Sequence, residues 1–342
     1  MIVVTGGTGL VGSHLLFQLV QKNEYVRAIK RPSSNIHNVR KIFGYYSDSS
    51  DELFSRIHWV DADLTDTNSL HEALKNSRFV YHCAGLVSFD RRLKKELFEI
   101  NTEGTGNVVN ASLECGVNKI CYVSSIASLG EAEEGDLITE KAKWKPEKRG
   151  SVYSLSKFKA ENEIWRGVAE GLQAVIVNPA VVIGPGFWKN GVGVAISMIK
   201  SGMNYYTDGV TGYIDVRDVA SIMVQLMEMN ISNEKYILST ENLSFKDMQE
   251  SLSYFLKCSG PAKYLSKRLI NIAWRYDWLK SVLFGRSPVL TRDSVRISHK
   301  KSYYSNAKII EKLGYQFVPI KESLQFIVEK YLESAQEELH WR

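Results

Sequence analysis

The sequence predicts an α/β fold: a doubly wound parallel sheet with a smaller, mostly helical lobe behind it. Three observations carry that expectation. Over the first 180 residues, short apolar runs alternate with longer helical patterns. The runs are continuously apolar, as strands covered on both faces must be. After Pro179 the alternation breaks up, and from about residue 243 the pattern is mostly helical.

Taken in order, Ile2–Thr5 reads as a buried strand and Leu10–Gln21 as a helix with Leu15, Leu16, Leu19 and Val20 on one face. Tyr25–Lys30, Ile57–Val60, Phe79–Cys83, Lys119–Ser124 and Gln173–Asn178 read as further strands, with helices at about 66–75, 91–115 and 153–170. Gly184-Pro185-Gly186 and the Gly191/Gly193 pair mark a mobile loop. Ile214–Asp218 reads as a return to the sheet and Lys235–Ser239 as its last strand. Residues 1–180, with returning pieces at about 209–240, are therefore assigned to the sheet domain. Residues 181–208 and 241–342 are assigned to a substrate lobe.

The chain has 342 residues, 44% hydrophobic and 24% charged, which is ordinary for a globular protein. It has no run of eighteen apolar residues, so no membrane span is expected. With the first strand read from Ile2, no signal peptide and a cytoplasmic location are expected. Four cysteines and seven histidines fall without ligand spacing, so neither a metal nor a disulfide framework is expected. Net charge is +5 but uneven: residues 261–310 hold eleven Lys/Arg against two Asp/Glu, a local +9 that leaves the rest at −4.

Thr5-Gly6-Gly7-Thr8-Gly9-Leu10-Val11-Gly12 joins the first strand to the first helix. Gly6 suits a tight turn at positive φ. Gly9 lets a pyrophosphate approach the backbone, and Gly12 lets helix and strand pack closely. The anion then meets the free N–H groups of Thr8, Leu10 and Val11 at the helix N-terminus. This is a dinucleotide site of the Rossmann type, with a three-residue glycine stagger. An acid on the second strand would select the ribose 2′-hydroxyl of NAD. Here the strand runs into Lys30-Arg31-Pro32-Ser33-Ser34. A guanidinium matches phosphate, so NADP(H) is expected over NAD(H), with Arg31 and Ser33 on the 2′-phosphate. Asp63-Leu64 would lie near the adenine, Asp66 is read as a helix N-cap, and Ala84-Gly85 would let the cofactor pass close to backbone.

Tyr153 and Lys157 lie four residues apart, 28 residues after the Ser124-Ser125 pair. A free tyrosine has a pKa of about 10, too high for acid/base work near neutrality. A lysine one helical turn away shares its face, so its charge is expected to lower the tyrosine pKa. The same ammonium can hold the nicotinamide ribose. A serine hydroxyl at the end of the fifth strand can orient a substrate oxygen.

These residues resemble the extended short-chain dehydrogenase/reductase family, also described as the NAD-dependent epimerase/dehydratase family. The resemblance extends over nearly the whole chain, through Asn101-Thr102-Glu103-Gly104-Thr105, Asn178-Pro179 with Gly184-Pro185, Tyr213–Ala220, Ser305-Asn306-Ala307-Lys308 and Leu313-Gly314-Tyr315. Gly6–Leu15, Val26-Arg27-Ala28 and Arg31-Pro32 are most similar to its dihydroflavonol-4-reductase-like branch. The resemblance implies an acid/base Tyr153, Lys157 beside it, a catalytic Ser125 with Ser124 as the other register, and Pro179 at the cofactor. It also implies NADPH-dependent reduction of a carbonyl, or the reverse oxidation of an alcohol. A homodimer through the helices near 91–115 and 153–170 is compatible with it. A nucleotide-sugar epimerase or dehydratase that retains NAD is the alternative, and a non-catalytic redox-sensing binder a third reading.

The polar stretch 33–56 departs from the branch, and 187–208 matches none closely enough to name a ligand. Phe187, Trp188 and Tyr205 lie where a substrate wall would stand, and the ligand is expected to be small and partly hydrophobic. Residues 263–284 interleave apolar side chains with Lys263, Lys267, Arg268, Arg275 and Lys280. The favoured reading is a lid helix with its basic residues in solvent; the other is an interfacial helix resting on anionic lipid. Nothing resembles a nucleic-acid recognition motif.

Overall fold

The computed structural model describes all residues except Asn23, 132–135, 145–149, 285–290 and 341–342; the side chains of 282–284 and 337–340 also lie outside the description. Its strands are, in chain order, β1 (Ile2–Thr5), β2 (Val26–Lys30), β3 (Ile57–Asp61), β4 (Phe79–His82), β5 (Lys119–Val123), β6 (Leu137–Ile138) and β7 (Gln173–Pro179). They continue with β8 (Val181–Ile183), β9 (Tyr205–Tyr206), β10 (Val210–Asp215), β11 (Glu234–Leu238), β12 (Glu241–Ser244), β13 (Lys263–Tyr264) and β14 (Tyr303–Tyr304).

Seven of them form one parallel sheet in the order β11-β7-β5-β4-β1-β2-β3. Strand order reverses between β1 and β4, and a doubly wound sheet binds its ligand at the carboxyl ends beside that reversal. Successive side chains on a strand face opposite sides, and the core divides accordingly. Val4, Tyr81 and Val175 pack on one side, with Leu15, Leu16 and Leu19 of the first helix and Val219, Ile222 and Met223 of the helix Val216–Glu228. Val3, Val80, Ile120 and Ile176 pack on the other, with Leu70, Val108, Val109, Ala160 and Ile164 from three further helices. A third cluster joins Ile183, Ile196, Tyr213, Leu252, Leu324 and Ile327 within the later part of the chain.

Two expectations need correction. Residues 214–218 do not return to the main sheet. β10 instead pairs with β8 and β12 in a separate three-stranded sheet, and Asp215 caps the helix that starts at Val216. An apolar run suits either sheet equally; only the partner strands decide. The glycine-rich stretch after Gly186 also shortens to a turn, because a helix begins at Gly191 and runs to Lys200.

Candidate active site

The glycine turn is built by sterics. Gly6 has φ +68, and a Cβ there would lie 2.5 Å from the backbone nitrogen of Ala84 at the end of β4. A Cβ on Gly12 would lie 2.2 Å from the Gly6 carbonyl oxygen. Gly9 is the N-cap of the first helix and offers no side-chain cap, so N–H groups of that helix face outward from a bare backbone. A Cβ on Gly9 would meet only the Gly6 oxygen, at 3.3 Å. The cradle therefore fits a pyrophosphate, with Thr8, Leu10 and Val11 around it. Ala84 and Gly85 border the same end of the sheet.

At the end of β2, Lys30 is ion-paired with Asp61 of β3. Among the described residues the Arg31 guanidinium has no such partner. Arg31 and Ser33 are both exposed in the turn that follows the strand. Asp63 uses one carboxylate oxygen to accept from the backbone N–H and hydroxyl of Thr65, at 2.9 and 2.8 Å. The Leu64 carbonyl accepts from Asn107, and Asp66 caps the next helix through Asn68 and Ser69.

The helix Val152–Ala169 starts at a Ser151 cap and buries Tyr153, Lys157 and Glu161 on one face. Burial pushes the Tyr153 phenol above its ordinary value, and the nearby Ser125 hydroxyl, which accepts from the Ala127 N–H at 3.1 Å, offsets part of that rise. Phe89 packs edge-on against the Tyr153 ring, with centroids 5.9 Å apart. The expected lowering of Tyr153 by Lys157 is not found. Lys157 donates instead to the Tyr122 hydroxyl at 2.7 Å and the Val123 carbonyl at 2.8 Å. Burial lowers its own pKa to about 7.

Behind Lys157 lies a network the sequence reading missed. The Tyr122 ring stacks on His82, which bridges Thr5 at 2.7 Å and Thr105 at 3.0 Å. Burial holds His82 down to about 3, so it is neutral. Glu161 accepts from Ser124, Ser128, Asn178 and Lys235, at 2.8 to 3.1 Å. Burial opposes its charge, but Lys235 and these donors hold its carboxyl below the ordinary value. Ser124 thus faces into the structure while Ser125 faces Tyr153, which separates the two serine registers. Spacing alone held a signal for Glu161: it lies four residues beyond Lys157, as Lys157 does beyond Tyr153.

Asn101 lies in a π-helical segment, Glu99–Glu103. Its side-chain amide accepts from the Leu86 N–H through Oδ1 and donates through Nδ2 to the Leu86 carbonyl and the Ser156 hydroxyl. Pro179 ends β7 directly after Asn178. The candidate wall residues scatter. Trp188 packs edge-on against Tyr331 at 5.4 Å and near Tyr45, Phe187 is half-buried beside it, and Tyr205 is exposed on the β9–β13 ribbon. A cavity of about 1270 Å³ instead lies beside the first turn of the Tyr153 helix, lined by Ser151, Val152, Leu155, Trp144, Lys267 and Arg292 among others. The Trp144 ring stacks on Phe158 there, at 4.8 Å.

Residues 2–238 match the NAD dependent epimerase/dehydratase family. The chain belongs to that family. A putative dihydroflavonol 4-reductase from Synechocystis is 30% identical over 94% of this chain and 91% of its own length. Cinnamoyl-CoA reductase 1 from Petunia hybrida is 26% identical over 83% and 90%. The crystal structure of gox2253 superposes with a TM-score of 0.79 at 30% identity, covering 98% of both chains. UDP-glucose 4-epimerase from Thermotoga maritima superposes with a TM-score of 0.77 at 20% identity over 98% and 99%, a likeness of fold alone. As a family member with reductase relatives, the protein is an NAD(P)-dependent oxidoreductase of the short-chain dehydrogenase/reductase type.

Proposed function

We propose that the enzyme reduces a carbonyl to an alcohol with NADPH, using Tyr153 as proton donor. The observation that carries this reading is the protonated, buried phenol of Tyr153 beside the Ser125 hydroxyl at the carboxyl end of the sheet. The bound nicotinamide supplies the hydride that reaches the carbonyl carbon. Tyr153 delivers its proton to the carbonyl oxygen, and the Ser125 hydroxyl hydrogen-bonds the same oxygen and orients it. An ammonium has three N–H donors. Two on Lys157 are directed at Tyr122 and Val123, which leaves the third to hold a ribose hydroxyl. A phenol raised by burial keeps its proton at neutral pH, the form that reduction needs, and a charged Lys157 beside the bound cofactor would bring its pKa back down toward the working range.

Arg31 supports NADP(H): with Lys30 neutralised by Asp61, the guanidinium is the cation left at the strand end for a 2′-phosphate. The substrate favoured is amphiphilic. In the cavity, Arg91 pairs with Asp293 and Lys300 with Glu131, while Lys94, Lys267 and Arg292 add basic charge around the Trp144–Phe158 stack. An apolar or aromatic body carrying negative charge matches that lining.

NADPH oxidation against a panel of aldehydes and ketones tests the activity. Tyr153→Phe is expected to lower kcat by about two orders of magnitude or more, with NADPH affinity unchanged. Turnover that survives the substitution would sink the assignment. NAD retained through purification, with no NADPH consumed by any carbonyl, would favour the epimerase or dehydratase reading.

A further inference from the structure

We infer that the helix Lys267–Phe284 seats this protein on an anionic lipid surface. The lid reading of this segment needs its apolar residues to face inward, and only some do. Ile270 and Ser281 are buried, and Lys267 and Asn271 border the cavity. Leu269, Ile272, Tyr276 and Leu279 are 55, 63, 60 and 48% exposed.

Their spacing is three, four and three residues. At about 100° per residue the four fall within about 80° of one another, on the side opposite Ile270 and Ser281. The stripe is about 15 Å long. Arg268 and Arg275 flank it on one edge and Lys280 on the other, all three exposed. The helix's one acid, Asp277, projects toward the buried side and is half-buried. Trp278, 53% exposed, lies on the other side of the helix, near the cavity-lining Lys267 and Asn271, and is not part of the stripe. The ribbon just before the helix continues the pattern, with exposed Tyr205 and Tyr264 and with Lys263 6.0 Å from the Tyr205 ring.

An apolar stripe edged by cations is the pattern of a helix lying in a bilayer interface. Charge favours lipid over a second copy of the chain. The face is basic, and the segment 261–310 carries +9, so two copies would bring like charges together, whereas an anionic membrane attracts each cation. No helix among the described residues is long and apolar enough to cross a membrane. The contact is therefore peripheral, and it is independent of the carbonyl-reductase reading.

The test is co-sedimentation of the full-length protein with two vesicle preparations, phosphatidylcholine alone and phosphatidylcholine with about one-third phosphatidylglycerol. The protein is expected to pellet with the anionic vesicles and to be released as salt rises. Leu269→Glu with Ile272→Glu is expected to leave it in the supernatant, with wild-type thermal unfolding. Arg268→Glu with Arg275→Glu is expected to weaken binding by about tenfold or more. Protein that stays in solution with both vesicle types at every salt level overturns the inference. So does a Leu269→Glu, Ile272→Glu variant that pellets as the wild type does. Sedimentation velocity supplies the remaining arm: a wild-type dimer that the same double variant splits would assign the stripe to a second copy and overturn the lipid assignment. Vesicle binding that persists while no carbonyl is reduced would remove the proposed function alone.

Discussion

Lys157 shows how one residue can be both predicted and mispredicted. Its position beside Tyr153 follows from helical spacing, but the direction of its ammonium does not. The ammonium turns toward Tyr122 and Val123, and burial brings its pKa to about 7 from 10.5. The sign of the consequence follows. Between about pH 7 and 10.5 the free enzyme holds Lys157 mostly neutral, whereas a ribose hydroxyl accepting from the ammonium favours the charged form. Dinucleotide binding at pH 8 should therefore take up close to one proton, and affinity should weaken as pH rises above 7. At pH 6 the lysine is already charged and uptake should be small. Titration calorimetry in buffers of different ionisation enthalpy measures this directly. A binding heat at pH 8 that does not depend on the buffer would show that the ammonium does not meet the ligand. Tyr122→Phe removes an oxygen that stabilises the charged lysine, so uptake should then persist to lower pH.

At the scale of the element, Ala160 and Ile164 pack the Val152–Ala169 helix on the sheet, and Glu161 on the same helix adds polar ties. This carboxylate ties the helix to the end of β5 through Ser124 and Ser128, to β7 through Asn178 and to β11 through Lys235. Glu161→Gln retains the shape but sets an amide N–H₂ against groups that donate. It should cost about 2–4 kcal/mol of stability, read from urea unfolding. An unchanged unfolding midpoint would mean that the network contributes nothing net. The legibility of the fold follows a similar division. The glycine turn was readable because its steric demands fall on neighbouring residues, as the 2.2 Å approach of a Gly12 Cβ to the Gly6 oxygen illustrates. Tyr153 and Lys157 were readable because one helical turn joins them. Glu161 shares their face, but its partners come from three strands far apart in sequence, and no local spacing records that. β10 was misplaced for the same reason, because its apolar run does not name its neighbours. The late helix is apolar on both sides, so its sequence could not say which side the fold would cover.

Across the whole molecule, the sheet's strand reversal brings together the turn after β1, the Arg31 end of β2 and the Ala84-Gly85 end of β4. A dinucleotide lying there would bridge segments that otherwise meet only through the sheet, so binding should stabilise the fold as a unit. Ligand at a hundredfold excess over its Kd adds about 2.7 kcal/mol. For a chain of 342 residues that corresponds to a rise in Tm of about 4 °C. If Arg31 holds the 2′-phosphate, NADH should bind about tenfold more weakly, the equivalent of about 1.4 kcal/mol. At the same concentration it should then raise Tm by only about half as much. Arg31→Ala should erase the difference by lowering the NADPH shift to that of NADH, because the guanidinium lies at the ribose end and away from the pyrophosphate cradle. Thermal unfolding with each cofactor, wild type beside variant, reads this out without any substrate. Equal shifts for NADPH and NADH in the wild type would remove Arg31 from phosphate recognition and leave the cofactor preference to residues elsewhere in the cleft.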